Sequence, residues 1–102
     1  MPTQSHKEDL LQRLAVRDYA AKYLKASFEE GDEAGFLLAL RNVVEAHGGI
    51  SKVARESKVT RQHLHRVLAE EGNPTLSTLK SILEAVGLTL DFSPQDLCQA
   101  LS

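Results

Sequence analysis

The stretch Ile50–Leu68, ISKVARESKVTRQHLHRVL, constrains this chain more than any other. Its apolar residues Val53, Ala54, Val59, Leu64 and Val67 have the spacing of two short helices that share one buried seam across a tight turn. Lys52, Arg55, Lys58, Arg61 and Arg66 are left for the outside. Ala54 is small where the two helix axes must approach, and a larger side chain there should force them apart. The rest of the chain reads as support for this pair.

Charge singles out the same stretch. The whole chain carries a formal −2, which by itself does not mark a nucleic-acid binder, so the distribution matters more than the sum. Residues 1–49 hold six basic and eight acidic groups, residues 50–68 five and one, and residues 69–102 one and five. Net positive charge is thus confined to this pair of helices. With 102 residues, 42% hydrophobic content and only 5% aromatic, the sequence has room for one modest core. Its richness in Leu, Ala, Glu and Lys predicts helices packed on helices.

The predicted fold class is all-α, a five- to six-helix repressor-like domain over 1–102 with a short C-terminal β-strand. Residues 1–6 lack periodicity and are expected to fray. Residues 1–16 read as an N-terminal extension, in which Leu10, Leu11 and Leu14 mark one helix face. Val16, Tyr19, Ala20, Tyr23, Leu24 and Phe28 form a second stripe rotated from the first, so a break is expected near Ala15–Arg17. Tyr19 and Tyr23 read as core residues with hydroxyls at the rim. Gly31 suits the left-handed residue that follows a last turn, and Asp32 can cap the next helix. Phe36, Leu37, Leu40, Val43, Val44 and His47 then repeat until Gly48-Gly49. After the turn Gly72-Asn73-Pro74, Thr75 can cap a helix whose Leu76, Leu79, Ile82, Leu83 and Val86 face inward as far as Gly87.

Leu88, Leu90 and Phe92 alternate with polar residues, a strand signal in an otherwise helical chain. A lone strand cannot satisfy its own backbone. Either the segment lies extended over the core or it pairs with a second copy, and Leu88, Leu90 and Phe92 are the expected dimer contacts. Cys98 is the single cysteine, so the chain can build neither an internal disulfide nor a cysteine-based zinc site, which suits a reducing cytoplasm. No apolar run approaches the length of a membrane span, and the first residues lack a leader pattern. A soluble cytoplasmic protein is expected.

Arginine can pair bidentately with guanine and glutamine with adenine from the first half of a helix lying in a major groove. Thr60 is placed to cap the second helix and to present Arg61, Gln62 and His63 on its first turn, with Arg66 one turn on. Arg61, Gln62 and Arg66 are therefore the expected base readers. Ser51 is expected to accept a backbone amide at the start of the first helix, where an open N-terminus favours phosphate. Ser51, Lys52, Lys58, Thr60 and His63 are the expected phosphate contacts. His63 and His65 do not make a metal pair, because residues two apart on a helix diverge. No cofactor or metal is expected.

From GGISKVARESKVTRQHLHRVL through EEGNPTLSTLKSILEAVGLTLDF the chain resembles the Cro/repressor (Xre) class of helix-turn-helix domains, specifically addiction-module antidotes of the HigA type. The upstream YLKASFEEGDEAGFLLALRNVVEAHGG is similar to the helical lead-in of those antidotes, and the likeness covers roughly Tyr19 to Phe92. It implies an antitoxin that binds a double-stranded operator upstream of its own genes as a homodimer and neutralises a RelE-like toxin. It also places Ser51, Lys52 and Thr60 near phosphates. Where the turn between the helices usually has glycine, this chain has Lys58, and a left-handed conformation there costs on the order of 1 kcal/mol.

Two other readings compete. The chain could be a protein-interaction module, or a general regulator of the same class without a toxin partner. An enzyme is not expected, since no nucleophile with its base, phosphate-binding glycine loop or paired acids can be assembled.

Overall fold

The computed structural model describes residues 2–69 and 72–94. Six helices follow one another: α1 Pro2–Leu14, α2 Arg17–Glu29, α3 Glu33–Ala46, α4 Ile50–Ser57, α5 Arg61–Val67 and α6 Leu76–Ala85. Local chemistry accounts for most of their ends. The Asp32 carboxylate accepts a hydrogen bond from the Ala34 amide, and the Thr75 hydroxyl one from the Thr78 amide, both at 3.1 Å. Each satisfies a donor that has no partner within its own helix.

Glycine closes α3 and α6 in the same manner. After α3, Gly48 takes φ 120° and donates to Glu45 O, while the Gly49 amide reaches back to Val44 O at 3.0 Å. After α6, Gly87 takes φ 84° and donates to Glu84 O, while the Leu88 amide reaches Leu83 O at 2.8 Å. This paired 5→2 and 6→1 arrangement satisfies the last carbonyls and requires a left-handed residue that glycine adopts without steric cost.

Helices α1, α2 and α3 pack on one another, α4 packs on α5 and α6, and the contact of α3 with α4 joins the two groups. One continuous core results. Leu40, Val43 and Val44 of α3, Val53 of α4, Leu64 of α5, Leu68 after it and Ile82 of α6 are its most enclosed side chains. Burying each such side chain stabilises the fold by roughly 1.5–3 kcal/mol. Between α2 and α3, the Asn42 amide donates to the Tyr23 hydroxyl at 3.1 Å, so Tyr23 packs with its polar end satisfied at the edge of the core.

Three expectations need correction. Residues from Pro2 onward are helical, not frayed. A proline's fixed φ suits the first position of a helix, and Leu10 and Leu14 hold the remainder of α1 against the core. The strand over Leu88–Phe92 is absent, and 88–94 has no regular structure. Leu88 is apolar for another reason: it is the second residue past the C-cap of α6, whose side chain commonly packs back on the last turn, and it does join the core. Leu90 and Phe92 are exposed, Phe92 at 87%. Finally, Val16, Tyr19, Phe28 and Leu76 lie outside the core, Phe28 and Leu76 each 69% exposed. Leu76 is the first residue of α6, where a side chain projects beyond the packed length of the helix.

Candidate nucleic-acid interface

Helices α4 and α5 occupy the stretch read as two short helices across a turn. Val53, Ala54, Leu64 and Val67 are buried and Val59 is half-buried, so the shared seam is real. Between the helices Lys58 adopts φ 63°, ψ 23°, the left-handed region, and among the described residues it is the one non-glycine with positive φ. The turn therefore keeps the geometry that glycine would provide, at a cost of about 1–2 kcal/mol. Thr60 begins α5 as predicted, its hydroxyl accepting from the His63 amide at 3.1 Å.

Ser51 does not cap α4. Gly49 occupies that position with φ 97°, no side-chain cap bond forms, and Ser51 is the second helical residue, exposed. The Gly-Gly closure of α3 runs so directly into α4 that the first turn starts two residues earlier than a serine cap requires. Lys52, Lys58 and Thr60 are exposed. His63 is half-buried, its backbone amide already engaged by Thr60.

The structure brings Arg61, Gln62 and Arg66 to one side of α5, where they and His65 line a shallow surface concavity. His65 was not among the expected readers. Its membership follows from helical spacing, since 61 and 65, and 62 and 66, are neighbours one turn apart. Among the described residues, none of Lys52, Arg55, Lys58, Arg61 or Arg66 is within ion-pair distance of a carboxylate. Glu56, the single acid of the pair, is turned toward the end of α3, with Oε1 3.4 Å from His47 Nε2. Among the described residues the outward face is thus cationic without an ion pair to neutralise it, which suits a polyanion.

A residue of α3 supports this face. The half-buried Arg41 guanidinium donates to the Leu68 carbonyl through Nε at 3.1 Å and Nη2 at 2.7 Å. It satisfies a carbonyl at the C-terminal end of α5, where a cation also complements the helix dipole. Ile50, His65, Leu68 and Ala69 surround a second hollow with Arg41. Nothing local in the sequence could show this, because the partners lie 27 residues apart. Arg41→Met should cost about 1.5 kcal/mol in urea unfolding and raise amide exchange in α5. Unchanged stability and exchange would deny the guanidinium this role.

Chemically, two arginines and a glutamine on one capped helical face can offer forked donors and an amide to base edges, and the surrounding lysines can offer charge to phosphates. Among the described residues no group of three or more His, Cys, Asp or Glu could hold a metal ion. No helix among them is long and apolar enough to cross a membrane.

Comparison with known proteins identifies the family of the chain. A family model described as "Probable addiction module antidote protein" matches residues 4–94. An uncharacterized protein of Haemophilus influenzae (strain ATCC 51907 / DSM 11121 / KW20 / Rd) is 28% identical over 80 residues, covering 78% of this chain and 81% of the relative. No solved structure matches.

Proposed function

This chain belongs to the family of addiction module antidote proteins, and from that premise we propose that it is an antitoxin that also represses transcription by binding a specific DNA operator. The observation that carries the DNA-binding half is the face of α5. Arg61, Gln62, His65 and Arg66 are gathered outward on a helix whose inner face is locked into the core, with no carboxylate beside the arginines among the described residues. In this reading Arg61, Gln62 and Arg66 meet base edges in the major groove, and Lys52, Lys58 and the start of α4 meet phosphates. The motif is of the Cro/repressor (Xre) class, the antidote of the HigA type, and the toxin a RelE-like protein.

Two copies related by a two-fold axis would set their α5 helices one DNA turn, roughly 34 Å, apart on a palindromic site. Leu90 and Phe92, exposed in the single chain, are available for the contact between them. A band-shift titration with the DNA upstream of the protein's own gene tests the proposal. The expected result is a sequence-dependent complex of two chains per site, weakening steeply as salt rises. Failure to discriminate that DNA from a scrambled duplex at low salt would refute the repressor half and leave the antidote half standing.

A further inference from the structure

A second surface lies at the corner between α2 and α3, away from the cationic face. Phe28, at the end of α2, is 69% exposed, and its ring meets that of Phe36 edge-on, with centroids 5.6 Å apart and planes at 76°. Phe36 is half-buried against the core, so the pair is anchored at one side and open at the other. Between the two aromatics stand Glu29, Glu30, Asp32 and Glu33, all exposed, with no basic residue among them. None is in an ion pair among the described residues, although Lys25 lies one turn before Glu29. Asp32 is committed to its cap; Glu29, Glu30 and Glu33 are not so engaged.

An anchored aromatic with an open face and a charged rim is the composition of an interface core with its surround. The sign of the rim decides what can cover it. DNA is repelled. A second copy meeting the patch across a two-fold axis would set carboxylates against carboxylates, which disfavours self-association there. A protein with a basic surface around an apolar recess is complementary.

We propose that the Phe28–Phe36 pair and its carboxylate rim form the surface on which this antidote seats its toxin, and that the contacting face of the toxin is basic. The inference rests on the antidote reading. Helix α3 runs from this corner to the helix-turn-helix, and its 14 residues separate its ends by about 20 Å. The toxin surface therefore lies at the start of α3, and the helical pair follows its end. A basic toxin face covered by carboxylates would be shielded from polyanionic substrates such as RNA, which supplies the neutralisation.

The test co-expresses the full chain with the product of the small reading frame adjacent to its gene and measures the affinity of the purified partners. Two variants are compared with the parent: Phe28→Ala, and Glu29→Lys with Glu30→Lys. Lysines at the C-terminal end of α2 complement its dipole, so the second variant tests the surface even if the first folds poorly. Each should weaken the toxin complex tenfold or more, the charge reversal most at low salt, while the operator band shift keeps its parental affinity. Parental toxin affinity in both folded variants would overturn the assignment and spare the antidote reading. Failure of the parent chain to bind would remove that reading and the proposal with it. A change in the sedimentation of the chain alone would instead mark the corner as a contact between copies and equally overturn it.

Discussion

The double variant Arg61→Ala/Gln62→Ala should lose its preference for the operator while folding as the parent does. A well-formed bidentate contact to a base is worth about 1–3 kcal/mol, so removing both should cost roughly 2–6 kcal/mol, or between about thirtyfold and twenty-thousandfold in operator affinity. Affinity for unrelated DNA should fall far less, because Lys52, Arg55 and Lys58 are unaltered and phosphate attraction does not depend on sequence. Both side chains are exposed and lie in the first turn of α5, outside the apolar seam. Removing a cation from the N-terminal end of a helix should not destabilise it. The decisive readout is the ratio of operator to scrambled-duplex affinity, with thermal melts as the folding control. A ratio unchanged by the double substitution would mean that α5 does not read bases.

Gly72→Ala should be the most damaging single substitution outside the core, although Gly72 has no positive φ to explain its identity. A Cβ built there would collide with the Val67 carbonyl oxygen and lie 2.6 Å from the Val67 carbonyl carbon and 3.0 Å from Ala69 O. These are backbone atoms at the end of α5, where Val67 and Leu68 are buried and Arg41 holds the Leu68 carbonyl. They cannot swing aside as a flexible side chain would. The Gly72 amide also donates to Ala69 O at 2.8 Å, so a backbone bond holds the close approach. Overpacking of this kind costs about 2–3 kcal/mol, which for a domain of this size lowers the melting temperature by roughly 10–15 °C. Calorimetry would read it directly, and a melting temperature within about two degrees of the parent would show that the chain leaves α5 by another path.

Several parts of the fold were legible before any coordinates because the forces involved act within one or two helical turns. Asp32, Thr60 and Thr75 cap their helices through bonds spanning two or three residues. The break near Ala15–Arg17 and the stop at Gly31 are equally local. The alternation of Leu88, Leu90 and Phe92 misled because a period of two over three apolar residues also arises when the first belongs to a helix stop. Leu88 is explained by its contact with the core, leaving Leu90 and Phe92 without the pattern that suggested a strand. Ser51 misled in a similar way, since a good capping residue was displaced by the closure of the preceding helix.

The antidote family was recognisable from the motif and its flanking helices, and the match over residues 4–94 agrees with that coarser assignment. The candidate site was legible only in part. Arg61, Gln62 and Arg66 are brought together on α5, but His65 joins them and His63 turns partly inward.

By itself, then, the sequence determined the caps at Asp32, Thr60 and Thr75, the stops at Gly31, Gly48 and Gly87, the buried seam of α4 and α5, and the concentration of positive charge upon them. These follow from backbone bonding and periodicity, whose partners are near neighbours in the chain. Only the tertiary structure decided that Arg41 closes the far end of α5, that Gly72 must have no side chain, and that Phe28 stands exposed above an acidic corner. Each of those depends on atoms brought together from separate turns or helices, and packing sets such distances where local propensity does not.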